Sequence, residues 1–89
     1  MKDETKAILA GRKSQDFNGA VNTPVYHAST ILYPSLAAIR GTEKMPFTYG
    51  RRGTPTSAAL ESAITEMENG AGTVLTPSGA SAVSLAILA

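Results

Sequence analysis

Thr73-Val74-Leu75-Thr76-Pro77-Ser78-Gly79-Ala80-Ser81-Ala82-Val83 reads as a short strand, a turn and the start of a helix. Residues 73–76 are all β-branched or aliphatic, so they have the composition of a short buried strand. Pro77-Ser78-Gly79 breaks the run, and Ser78 is placed to cap a helix that begins at Gly79 or Ala80. Beyond that point Ala80, Ala82, Val83, Leu85, Ala86, Ile87, Leu88 and Ala89 are apolar, and only Ser81 and Ser84 interrupt them. A helix apolar on all sides is expected to be buried on nearly every side. It also halts without a Gly, Asn or Lys stop signal. The expectation is therefore the front piece of a longer protein; the alternative is a very short protein with an adhesive terminal helix.

Working back toward the N-terminus, the pattern predicts a helix over 57–69 with Thr56 as its N-cap. Leu60, Ile64 and Met67 form its apolar stripe, Glu61, Glu66 and Glu68 lie elsewhere on a solvated surface, and Asn69-Gly70 ends it. Residues 41–55 hold Lys44, Pro46, Gly50, Arg51, Arg52, Gly53 and Pro55 without periodicity. A loop of that length is uncommon unless it has a function. Pro34-Ser35 opens a short helical turn over 36–39, closed by Gly41. Residues 21–33 are rich in β-branched and aromatic side chains but contain Pro24, so they read as extended chain or an edge strand. Residues 15–20 read as loop, and residues 4–13 as a helix stopped near Gly11.

The chain has 89 residues, with 8 Lys and Arg against 7 Asp and Glu, a net charge of +1 and no Cys. That length allows one small domain, burying only about 60–65% of the unfolded chain's surface. The near-neutral charge gives no electrostatic case for nucleic acid or an anionic membrane. Without Cys, no disulfide framework and no thiolate-held zinc or iron–sulfur site exists, and the single His excludes a multi-His metal cluster. No metal site is expected. A hydrophobic share of 43% is ordinary for a globular protein. The mixed-charge start Met1-Lys2-Asp3-Glu4-Thr5-Lys6 is unlike a signal peptide, and the longest apolar run is far short of the ~20 residues that span a bilayer. The expected location is the cytoplasm.

Two stretches carry chemistry. The small-residue turn Ser78-Gly79-Ala80-Ser81-Ala82 lets backbone N–H groups approach a ligand at a helix start, where unpaired donors and the positive dipole end suit an anion. The same turn also suits a cap with tight packing, and both uses stand open on this observation alone. In Tyr49-Gly50-Arg51-Arg52-Gly53-Thr54, two Arg lie between two Gly, with a Tyr in front. A guanidinium matches phosphate or carboxylate with two parallel bonds, and the Tyr hydroxyl adds a donor. A solvated basic loop would have the same composition. His27 stands without a neighbouring carboxylate and reads as structural. Lys2, Lys6, Lys13 and Lys44 lie in no apolar context that would lower their pKa for nucleophilic work.

Tyr49-Gly50-Arg51-Arg52-Gly53-Thr54-Pro55-Thr56 resembles the Tyr-x-Arg-x-x-(Asn/Thr)-Pro-Thr element of the Cys/Met-metabolism pyridoxal-phosphate enzymes. Asn22-Thr23-Pro24-Val25-Tyr26 through Ser29-Thr30 is similar to that family's N-terminal segment. Glu68-Asn69-Gly70-Ala71 followed by Ser78-Gly79-Ala80-Ser81-Ala82 resembles its Glu-Gly-Ala … Ser-Gly-Met-Ala-Ala element. The three occur in the family's order and cover nearly the whole chain. The Arg-Arg-Gly-Thr variant is most similar to the bacterial cystathionine β-lyase branch; cystathionine γ-synthases and methionine γ-lyases more often show Asn in place of Thr54.

The resemblance implies an α/β fold, the N-terminal portion of a fold-type I pyridoxal-phosphate enzyme. Residues 1–55 would be an N-terminal helix and an extended cross-subunit arm. Residues 56–89 would start the cofactor domain as helix, strand and helix, cut in mid-helix. It implies pyridoxal 5′-phosphate as cofactor, with Gly79 and Ala80 donating backbone N–H groups to its phosphate. Tyr49 and Arg51 would reach the phosphate held by a neighbouring subunit of a homotetramer. The catalytic Schiff-base Lys would lie beyond residue 89, so no catalytic residue is assigned and the 89 residues alone are expected to be inactive. The implied activity is carbon–sulfur lysis of cystathionine, or a related thioether amino acid, to homocysteine, pyruvate and ammonia in methionine biosynthesis. The alternatives are a γ-acting relative or a non-catalytic phosphate-binding or interaction module.

Overall fold

A computed structural model describes residues 2–89. Helix α1 spans Asp3–Leu9, a 3₁₀ turn spans Ser14–Phe17, α2 spans Leu36–Ile39, α3 spans Pro55–Met67 and α4 spans Gly79–Leu88. Among the described residues no strand forms; an isolated antiparallel bridge joins Thr30 to Tyr49. The strand expected at 73–76 is a correction: this stretch is irregular and has no ladder partner. The composition of a buried strand is present, but a strand exists only when a neighbour satisfies its N–H and C=O groups. Thr73 Oγ1 ties it to Thr65 Oγ1 of α3 at 2.7 Å.

Helix α3 begins two residues earlier than the pattern suggests. Thr54, not Thr56, is its N-cap, and Pro55 holds the first helical position, where its missing N–H costs nothing. Ser57 Oγ accepts from the Thr54 N–H and donates to the Thr54 carbonyl, both at 3.1 Å. The helix ends at Met67, and Asn69 takes a left-handed conformation that lets the Gly70 N–H reach back to the Thr65 carbonyl at 2.9 Å. Helix α1 packs against α3, with the Gly11 backbone passing against Ala59 and Ala63. Lys6 Nζ reaches Asn69 Oδ1 at 3.2 Å across the same junction. This packing ends α1 at Leu9, short of the predicted residue 13. Over part of the predicted loop 15–20 the chain instead forms its 3₁₀ turn, closed by the Gly19 N–H on the Ser14 carbonyl at 2.8 Å. Helix α2 forms as read: Ser35 Oγ caps it by accepting from the Ala38 N–H at 3.2 Å.

Burial is sparse. Ala38 is the buried apolar residue and Thr54 the buried polar one. The accessible surface is 7136 Å², where a compact chain of this mass exposes about 4,900 Å². The radius of gyration is 15.5 Å, against about 12 Å for a compact domain of this length. The α3 stripe has its helical spacing but remains open, with Leu60, Ile64 and Met67 all exposed. Val83, Ile87 and Leu88 are 61%, 76% and 83% exposed, and α4 packs on no other helix among the described residues. Its apolar circumference predicts a covering that these residues do not supply.

Candidate anion-binding site

The segment 22–30 and the loop 49–56 are built against each other. Thr56 Oγ1 donates to the Pro24 carbonyl at 2.6 Å and accepts from the Tyr26 N–H at 2.8 Å. Six residues earlier in the loop, the Gly50 N–H donates to the Ser29 carbonyl at 2.6 Å, beside the Thr30–Tyr49 bridge. Phe17 packs edge-on to Tyr26 with ring centroids 6.4 Å apart, which adds the 3₁₀ turn to the same support. Between these anchors the chain turns sharply: Arg52 N–H bonds the Tyr49 carbonyl at 2.9 Å and Gly53 N–H the Gly50 carbonyl at 3.3 Å.

Glycine is needed at two points of this turn. A Cβ at Gly50 would overlap the Ala28 carbonyl. Gly53 has φ +153°, a backbone region that side chains disfavour strongly. The glycine frame read from the sequence is therefore a steric requirement. It leaves Arg51 and Arg52 exposed on the turn, with Tyr49 at 40% exposure beside them. These side chains can present a planar guanidinium fork and a phenol to an anion.

The second half of the expected site is the start of α4. Ser78 Oγ accepts from the Ser81 N–H at 3.1 Å and donates to Ser81 Oγ at 2.9 Å. The Ala82 N–H bonds the Ser78 carbonyl at 3.1 Å, and Thr76 Oγ1 donates to that carbonyl at the same distance. With these groups committed, the Gly79 and Ala80 N–H groups are the orphan donors of the first turn. Both residues are exposed, and helix geometry gives their amides no intrahelical acceptor. Such a pair suits a phosphate oxygen.

Tyr49 and Arg51 share one turn, and Gly79 and Ala80 share another. The clefts between α1 and α3, beside Phe17 and Phe47, and beside Tyr26 and Met45 are lined by none of the four. His27 is exposed on the extended segment, and Glu66 and Glu68 are exposed on and just after α3. No group of three His, Asp or Glu suited to a metal ion occurs among the described residues. Among the described residues no helix is long and apolar enough to cross a membrane. Thr56 is the residue that sequence reasoning misassigned. The available signal was the Pro55-Thr56 pair itself: with Pro at the first helical position, the cap must precede it.

The family model for Cys/Met metabolism PLP-dependent enzymes matches residues 4–89. The chain is 41% identical over 92 residues to the cystathionine β-lyase MetC of Escherichia coli, covering 99% of this chain and 23% of that protein. It is 38% identical over 101 residues to the L-alanine/L-glutamate racemase of Wolbachia pipientis, covering 99% of this chain and 25% of the racemase. It is 39% identical over 85 residues to the cystathionine γ-synthase of Mycobacterium tuberculosis H37Rv, covering 96% of this chain and 21% of the synthase. The chain thus spans about a fifth to a quarter of the length of the curated relatives it matches.

Proposed function

Because this chain belongs to the Cys/Met metabolism family of pyridoxal-phosphate-dependent enzymes, we propose that it forms the N-terminal part of a carbon–sulfur lyase acting on cystathionine. The whole reaction consumes cystathionine and water and yields homocysteine, pyruvate and ammonia. Two features support the β-lyase reading: the Arg51-Arg52-Gly53-Thr54 form of the loop, and the similarity to a relative named cystathionine β-lyase. The similarity to a named γ-synthase favours γ-replacement chemistry as the second reading.

The donor set fits the phosphate end of the cofactor. Pyridoxal phosphate supplies, when bound, the electron sink that makes an amino acid's Cα–H bond labile. The residues of this chain hold the anionic end of that group. Arg51 offers two parallel N–H donors and a fixed positive charge. Tyr49 adds a hydroxyl, and the Gly79 and Ala80 amides add neutral donors with the favourable end of the α4 dipole. The single observation that carries this reading is the closed loop: anchored at Ser29 and at Pro24 and Tyr26, it holds Arg51 outward on a defined turn. We assign Tyr49 and Arg51 to the phosphate held by a neighbouring subunit of a homotetramer, the use that the resemblance of the loop from Tyr49 to Thr56 implies. In this reading residues 1–55 are the helix and cross-subunit arm and residues 56–89 open the fold-type I cofactor domain. The 89 residues alone are inactive, and the enzyme is cytoplasmic.

The test is product analysis of the complete enzyme supplied with cystathionine. Pyruvate with homocysteine supports the β-lyase reading. Release of 2-oxobutyrate instead assigns the enzyme to the γ-acting branch, and no turnover of cystathionine overturns the β-lyase reading.

A further inference from the structure

We propose that Thr56 is a positioning residue, whose hydroxyl clamps residues 24–26 to the first turn of α3 and so fixes the loop that presents Tyr49 and Arg51. The clamp uses both functions of one hydroxyl: it donates to the Pro24 carbonyl at 2.6 Å and accepts from the Tyr26 N–H at 2.8 Å. These bonds bridge 32 and 30 positions of sequence. Thr56 has no capping duty to explain its hydroxyl, because Thr54 is the N-cap and Ser57 closes onto it.

What the clamp holds is the far side of the arginine loop. The extended segment leaves Tyr26, passes under Gly50 at Ala28, accepts the Gly50 N–H at the Ser29 carbonyl, and pairs Thr30 with Tyr49. The chain from Gly50 to Thr56 is thus closed into a ring by the segment 24–29, and Arg51 is one of the residues on that closed loop, exposed to solvent. Opening the Thr56 end leaves the Pro24 carbonyl and the Tyr26 N–H without their partner on α3 and frees the segment that supports Gly50. The β-branch of Thr restricts χ1, so the hydroxyl is held ready for both partners at small entropic cost. The functional consequence rests on the phosphate role assigned to Arg51; the clamp itself does not.

The experiment compares Thr56→Val and Thr56→Ser in the complete enzyme by hydrogen exchange over peptides covering 49–53 and 60–67. Thr56→Val keeps the shape and removes the hydroxyl. It is expected to speed exchange in 49–53 about tenfold while 60–67 stays unchanged, and Thr56→Ser is expected to match the parent. Pyridoxal-phosphate affinity, read by equilibrium dialysis, should fall about five- to tenfold in Thr56→Val and no further when Thr56→Val is added to Arg51→Ala. Unchanged exchange in 49–53, loss of protection in 60–67 as well, or equal losses of affinity in both backgrounds would each overturn the clamp. An Arg51→Ala enzyme with undiminished affinity would remove the phosphate role of Arg51, and the exchange data would still decide the clamp.

Discussion

Gly50 lies so close to Ala28 that a methyl group on Gly50 would overlap the Ala28 carbonyl. The contact is backbone against backbone, so no side-chain rotation can relieve it. The same two strands of chain are tied by the Gly50 N–H on the Ser29 carbonyl at 2.6 Å. Close approach and hydrogen bond together set where the arginine turn sits.

Gly50→Ala is therefore expected to destabilise the protein by about 1–3 kcal/mol, the usual cost of forcing extra volume into a filled space. Gly72→Ala is the matched control, because nothing lies within 4 Å of its added Cβ; it should stay within about 0.5 kcal/mol of the parent. Denaturant midpoints of the complete enzyme measure both. Equal effects would mean that the Ala28 contact does not constrain the loop.

Arg51 and Arg52 are neighbours on one exposed turn, yet the proposed phosphate contact is assigned to Arg51 alone. Arg51→Ala should lower pyridoxal-phosphate affinity about tenfold to a hundredfold, the scale of a charge-assisted bidentate contact at 1.4 kcal/mol per decade. Arg52→Ala should change it less than threefold. Equilibrium dialysis distinguishes this from a merely solvated loop, which predicts that both changes are silent.

Ser78 separates capping from anion binding at α4. Ser78→Ala removes the acceptor of the Ser81 N–H and should cost about 1 kcal/mol of stability. Ser78→Asp restores a good cap but sets a negative charge beside the Gly79 and Ala80 amides. It should keep the parent's stability and weaken pyridoxal-phosphate binding about tenfold or more. A turn used only for packing predicts that Ser78→Asp binds the cofactor like the parent.

The 89 residues on their own should bind a hydrophobic dye strongly and lack a sharp thermal transition. Ala38 and Thr54 are the buried residues, while Val25, Leu32, Val74, Ile87 and Leu88 are 68% or more exposed. That leaves too little apolar burial to offset chain entropy. Calorimetry checks this, and a single cooperative peak with weak dye binding would contradict it.

What was legible in the sequence was local. Ser35 and Ser78 mark helix starts through their own short-range chemistry, and the glycines around Arg51 mark a turn that only they permit. The helical stripe of Leu60, Ile64 and Met67 is also local, a matter of spacing along one helix. Residues 73–76 failed for the opposite reason: a strand depends on a partner that no property of those residues reveals. The exposure of α4 shows a related limit: apolar composition states a need for cover without saying what covers it. Thr56 was taken for a cap because a hydroxyl before a helical stripe is usually one. Its real partners, Pro24 and Tyr26, lie about thirty positions away in the chain, beyond the reach of spacing rules.

The most direct test of the shared phosphate grip is a crystal structure of the complete enzyme with pyridoxal phosphate. The reading predicts that one phosphate group has the Gly79 amide of its own subunit and the Arg51 guanidinium of a neighbouring subunit both at about 3 Å from its oxygens. A phosphate held with Arg51 of every subunit turned toward solvent, or with the Gly79 amide facing another group, would contradict it.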